Sequence, residues 1–142
     1  MAISARNLFR GKVTALHEGP VNAETEITTD SGVRIVATLT DVSVKALGLS
    51  LGKEAVAIIK APWVVLMTGT PDYRFSARNQ MKGKVAKLER GAVNTQVGLT
   101  LTGGSILSAV ITNEAADELG LTVGADATAM FKASHVLVGV PA

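Results

Sequence analysis

The chain repeats itself. Ser-Ala-Arg-Asn occupies residues 4–7 and again residues 76–79, and adding 72 to every position from Ser4 to Leu66 lays the first half on the second without a gap. Of the 63 aligned positions 24 are identical, including Gly11/Gly83, Gly19/Gly91, Val21-Asn22/Val93-Asn94, Thr40/Thr112, Gly48/Gly120 and Lys60-Ala61/Lys132-Ala133. Self-similarity of this extent means that one supersecondary unit is used twice. A unit of about 63 residues is close to the smallest that can bury a core of its own, so two such units should pack on each other or on further copies. The expected division is a first domain over residues 1–67, a linker over 68–72 carrying the strand breakers Gly69, Pro71 and Asp72, and a second domain over 73–142. An apolar fraction of 47% fits burial on more than one side and points to a homo-oligomer.

Composition removes several function classes. There is no cysteine, so disulfides, thiolate catalysis and cysteine-ligated zinc are absent. The net charge of +2 is too small to imply a polyanionic partner. No basic stretch followed by an apolar run opens the sequence, and no apolar run reaches membrane-spanning length, so the expectation is a cytoplasmic protein with no membrane partner.

Within each unit the apolar residues alternate at the period of strands. Lys12–Glu18 and Lys84–Arg90 alternate apolar with polar, and residues 23–40 read as strand, turn at Asp30-Ser31-Gly32, strand, with Gly103-Gly104 turning the counterpart. The only helical pattern is short. Residues 40–49 and 112–121 each open on a threonine able to cap free amides and close on Leu-Gly-Leu, whose glycine can terminate a helix. Residues 53–60 and 125–132 return to strand. The predicted fold class is mainly all-β: two tandem small OB-like Greek-key barrels, each with about five strands and one short helix.

The polar side chains present in both copies are Ser4/Ser76, Arg6/Arg78, Asn7/Asn79, Lys12/Lys84, Asn22/Asn94, Thr28/Thr100, Thr40/Thr112 and Lys60/Lys132. No histidine and no carboxylate is shared: His17 meets Glu89, His135 meets Trp63, and Glu24 meets Gln96. General acid–base catalysis and hard-cation binding both depend on such groups, so neither an enzyme nor a metal site is expected. What the copies share is a set of donors, suited to holding a tetrahedral oxyanion from several directions. Each element also has a plainer reading. Thr40 and Thr112 sit where helix caps belong, Asn22 and Asn94 where turns do, Lys60 and Lys132 at solvated strand ends, and Trp63 suits packing.

Residues 3–24 together with Lys60–Met67 resemble the Mop domain, the small barrel of molbindins and of the sensing portion of bacterial molybdenum regulators. The resemblance rests on the combined set SARN, G-x-V, G-x-VN and KA-[PS], and covers the chain twice, over residues 1–67 and 73–140. It implies a protein that stores or buffers molybdate or tungstate as its ligand, with no cofactor and no direct metal ligation, assembled as a homo-oligomer, in the family a trimer of two-domain chains. It places interface sites on Ser4, Arg6, Ser76 and Arg78, with Lys60-Ala61 and Lys132-Ala133 contributed by the facing domain and Thr40 and Thr112 as a further polar contact. A second kind of site, near the symmetry axis, would use backbone over Gly19, Val21 and Asn22 and over Gly91, Val93 and Asn94. Ser134, standing where the first copy has Pro62, adds a hydroxyl. Two other classes compete: a ligand-free oligomerisation module, and an OB-type binder of single-stranded nucleic acid. The second needs stacking aromatics and a basic groove, which Phe9, Trp63, Tyr73, Phe75 and Phe131, unmatched between the copies, do not supply, so no nucleic acid is expected as a partner.

Overall fold

The computed structural model describes all residues, Met1–Ala142. The first repeat forms β1 (Asn7–Glu18), β2 (Asn22–Thr29), β3 (Arg34–Thr40), α1 (Asp41–Leu47), β4 (Glu54–Ile59), a 3-10 turn (Ala61–Trp63) and β5 (Val65–Met67). The second forms β6 (Asn79–Arg90), β7 (Asn94–Leu101), β8 (Ile106–Thr112), α2 (Asn113–Leu119), β9 (Asp126–Phe131), a 3-10 turn (Ala133–His135) and β10 (Leu137–Gly139). No helix is long and apolar enough to cross a membrane.

β1 is long because it serves two partners. Its first half, Asn7 to Lys12, pairs antiparallel with β4, and from Gly11 onward it pairs with β2 across a register slip between Val13 and Ala15. β6 repeats the arrangement with β9 and β7, with its slip between Val85 and Lys87. A bulge of this kind sharpens twist and lets a strand curl from one partner to the next. At the bend the neighbouring strand comes very close: a Cβ on Gly83 would lie 2.7 Å from the Thr100 carbonyl oxygen, and Gly11 faces the Thr28 carbonyl in the same way. Only glycine leaves room for that approach.

The helices begin and end as their sequences dictate. The Thr40 hydroxyl accepts from the Ser43 amide at 3.1 Å, and Gly48 closes α1 in the left-handed region at φ 62°. Thr112 and Gly120 do the same for α2.

Each sheet has five strands and curls into a barrel-like shape, but the strands do not all come from one repeat. The orders are β10-β4-β1-β2-β3 and β5-β9-β6-β7-β8. After its 3-10 turn each repeat crosses to the other: Leu66 pairs with Ala129 and Val138 with Ala57. Sequence repeat and folded sheet are therefore different units, and the buried apolar residues of both repeats form one continuous core that runs from Phe9 and Val13 through Leu66 to Phe131 and Val138.

The outer strands β3 and β8 are covered by side chains from the opposite repeat. Asn7 is 2% exposed, donates its amide to the Ser108 carbonyl and accepts from the Ser108 N–H, both at 2.8 Å. Asn79, equally buried, makes the same two bonds with Val36, each at 2.8 Å. Position 36 plus 72 is position 108, so an approximate two-fold axis relates the two locks. A side-chain amide standing in for a strand satisfies an edge that would otherwise be open.

Candidate functional site

The Asn7–Ile59 register fixes where the candidate donors lie. β1 begins at Asn7 and β4 ends at Ile59, so the chain before Asn7 and the chain after Ile59 leave the same end of the same sheet. Arg6 and Lys60 thereby leave one sheet end side by side, with Ser4 and Ala61 next along their segments, and the Asn79–Phe131 register does the same for Arg78 and Lys132, with Ser76 and Ala133 next along. The Lys-Ala pair, assigned above to the facing domain, thus shares a sheet end with its own repeat's Ser-x-Arg. What faces it is a strand of the other repeat: the 3-10 turn at Ala61–Trp63 packs on β8, and the one at Ala133–His135 packs on β3.

Local structure holds this group in place. The amide of Trp63 bonds to the Lys60 carbonyl and that of His135 to the Lys132 carbonyl, each at 3.0 Å, winding both turns. Ala61 and Ala133 are buried, anchoring turns whose lysine side chains project into solvent. Trp63 and His135 meet with ring centroids 4.8 Å apart and planes at 39°, so two residues unrelated in type form one contact between the repeats. Ser134 is exposed on its turn where the first repeat has Pro62.

The charges around the two copies of this group differ. Arg78 donates to a carboxylate oxygen of Glu24, on β2 of the other repeat. The corresponding position opposite Arg6 is Gln96 on β7, and neither Arg6, Lys60 nor Lys132 is in an ion pair. The overlay already showed the Glu24/Gln96 exchange, but only the fold places it against an arginine.

The Gly19–Asn22 and Gly91–Asn94 segments are the hairpin loops at the far end of the long strands. The amide of Gly19 bonds to the Asn22 carbonyl at 2.9 Å and that of Gly91 to the Asn94 carbonyl at 2.8 Å. A Cβ on Gly19 would stand 2.8 Å from that carbonyl oxygen, which explains the glycine. Thr40 is in register with Asn22 and Thr112 with Asn94, so within a repeat the two threonines belong with the loops rather than with Ser-x-Arg. Val21 and Val93 at the tips are each 70% exposed. Behind the second loop Asn113 donates to the Gly91 carbonyl at 3.0 Å and accepts from Thr95 at 2.7 Å. Its counterpart Asp41 cannot donate when ionised, and its Oδ1 is buried without a partner. Nothing in the sequence reading singled out Asp41. The signal was an Asp/Asn exchange one residue after a shared threonine.

A cleft of about 810 Å³ lies elsewhere, against β6, β7 and β9 and lined by Lys82, Lys84, Thr100, Thr102, Asp126 and Thr128. There Lys84 is held by Asp126 at 2.8 Å, and that hydrogen bond lowers the Asp126 pKa. No three histidine or acidic side chains converge on a metal-binding position. Apart from the Glu24 carboxylate that holds Arg78, both arginine clusters are made of cations, hydroxyls and amides, the chemistry that recognises the outer oxygens of an anion.

Comparison with known proteins places this geometry in a family. The TOBE domain matches twice, over residues 3–66 and 76–138. The chain is 46% identical over 140 residues to the molybdenum transport protein ModE of Herbaspirillum seropedicae, covering 99% of this chain and 52% of that protein. It is 43% identical over 141 residues to the molybdenum-pterin-binding protein MopA of Rhodobacter capsulatus, covering 99% and 53%. The chain thus spans about half the length of these curated relatives. Among solved structures, the cytoplasmic molybdate-binding protein ModG with molybdate bound is 52% identical, with a TM-score of 0.95 over 99% of this chain and 100% of that one.

Proposed function

The chain belongs to the TOBE-domain family, whose domain it carries twice, and from that membership we propose that it binds molybdate, or tungstate, as a cytoplasmic store or buffer of the oxyanion. The observation that carries this reading is the doubled placement of Ser-x-Arg beside Lys-Ala at one sheet end, each against a strand of the other repeat. The likeness of the whole chain to ModG supports the choice of ligand.

In this reading Arg6 and Arg78 supply directional forks, Lys60 and Lys132 point charges, Ser4, Ser76 and Ser134 single hydroxyl bonds, and Ala61 and Ala133 backbone amides. Thr40 and Thr112 add a further hydroxyl to the interface sites, and backbone over Gly19, Val21, Asn22, Gly91, Val93 and Asn94 forms the second kind of site. Molybdenum in molybdate already carries four oxo groups, so binding requires hydrogen bonds to oxygen and no protein ligand on the metal. Charge-assisted bonds contribute about 1.5–3 kcal/mol each. A handful of them, less the cost of capture, corresponds to roughly micromolar affinity. The domain division at residues 68–72, the absence of a catalytic role and of a nucleic-acid partner, and assembly as a homotrimer belong to the same proposal. The exposed valines at the loop tips suit contact between copies.

Calorimetric titration of the purified chain with molybdate, tungstate, sulfate and phosphate tests the reading. Saturable binding of molybdate or tungstate, with sulfate much weaker, is expected. The absence of heat with all four would leave an assembly module without a ligand, the reading that the exposed valines alone would support.

A further inference from the structure

We propose that Glu24 makes the two interface sites of one chain unequal: its carboxylate competes with the oxyanion for Arg78, so the Arg6 site fills first and the Arg78 site second. The inference rests on the assignment of both arginines to anion sites and concerns how those sites divide the work.

Three observations carry it. The repeats are related by an approximate two-fold axis, shown by matching locks at Asn7–Ser108 and Asn79–Val36 and by the reciprocal exchange of β5 and β10. Symmetry would therefore give both arginines equal surroundings, and it holds for the neighbouring Ser-Ala, Lys-Ala and Asn residues, which are identical in the two copies. It fails at one charged position facing the arginines: Arg78 is paired with Glu24, and Arg6 has Gln96 in the corresponding place and no ion pair. Glutamine has nearly the shape of glutamate without its charge, so the difference is electrostatic rather than steric.

The consequence follows from elementary charge arithmetic. A dianion arriving at Arg6 meets a cation whose donors are free. One arriving at Arg78 must displace a carboxylate from the guanidinium or share it, and then lies beside a negative charge. The Arg78 side chain is 56% exposed and that of Glu24 33%, so solvent and salt screen the effect. An affinity gap of roughly tenfold at low ionic strength, narrowing as salt is added, is the size to expect from one part-exposed like charge at contact range. A store built this way would buffer its ligand over a wider concentration range than one with identical sites. Glu24 also crosses between repeats, so the second site couples anion binding to the release of an inter-repeat tie.

The test is calorimetric titration with sodium molybdate of the intact chain and of Glu24→Gln, Gln96→Glu, Arg6→Ala and Arg78→Ala, at low and at moderate salt. Glu24→Gln copies what the second repeat already tolerates, and its melting curve checks folding. Expected are a tight and a weak interface class in the parent, with Arg6→Ala removing the tight class and Arg78→Ala the weak one. Glu24→Gln should tighten the weak class about tenfold, and Gln96→Glu should weaken the tight one by a similar factor. If both arginine variants each remove a class while Glu24→Gln and Gln96→Glu change neither affinity, the role of Glu24 is refuted and the anion sites stand. If neither arginine variant changes binding, the sites themselves are refuted and the inference with them.

Discussion

Asn7 and Asn79 show how a residue that looks like part of a binding motif can be a structural lock. Both sit at the start of the string Asn-x-(Phe/Met)-x-Gly-x-Val, at the inward phase of the strand alternation, and both are fully bonded to a strand edge of the other repeat. Serine and arginine in the same tetrapeptide stay exposed, Arg6 without an ion pair and Arg78 held by Glu24. Replacing Asn7 by alanine leaves the half-buried Ser108 N–H and carbonyl without their partner, and each unmet group costs about 1–3 kcal/mol when water does not reach it. Asn7→Ala and Asn79→Ala should each lower unfolding stability in urea by about 2–4 kcal/mol. Aspartate should not rescue either, because an ionised carboxylate can accept from the amide but repels the carbonyl. A variant as stable as the parent would show that the edge is satisfied by other means. The motif was legible in the sequence, but its division into one lock and two donors was not, because the partner strand lies 101 or 43 residues away in the chain.

At the scale of elements, the pattern of β1, β2, β3, the helix and β4 could be read from alternation, turn residues and caps, and the structure places each where those signals put it. The count of about five strands per repeat was readable, but not that the last strand crosses to the other repeat. Val65–Met67 and Leu137–Gly139 would suit either sheet in composition. The short 3-10 turn before each is what aims it at the other repeat, where β4 and β9 have an unpaired side. A fragment of residues 1–70 therefore keeps its own β1–β4 but loses the β10 that covers β4, and its β5 has no β9 to pair with. It should form a homodimer in which each copy lends β5 to the other's β4, detectable by light scattering after size exclusion. A folded, monomeric fragment would mean that β5 can turn back onto its own sheet.

At the scale of the molecule, two repeats and one shared core make a compact two-fold unit whose loop tips remain apolar and open. Val21, Val42 and Val93 are at least 70% exposed, on the end opposite the Ser-x-Arg clusters of the same sheets. Substituting Val21 and Val93 together by aspartate buries nothing wrongly within one chain, so the fold should hold. In a contact between copies the two charges would lose their water, a penalty that association does not recover. Sedimentation velocity should show the parent as an oligomer and the double variant shifted toward the monomer. If molybdate binds the assembled form preferentially, it should raise the parent's melting temperature more than the variant's. A parent that is monomeric at every concentration would remove assembly from the proposal.

The sequence by itself determined the repeat, the strand and helix content, and which polar side chains both copies carry. Those properties follow from local rules: side chains alternate every two residues, and threonine caps and glycine ends a helix. Which repeat covers which edge, where the fifth strand goes, and that Glu24 stands against Arg78 were decided only by the tertiary structure. Each of these depends on pairing between two halves that share one strand pattern, where a strand edge offers the same hydrogen bonds to its own repeat as to the other. A pattern that serves both pairings equally cannot choose between them; the packing of one continuous core around both repeats does.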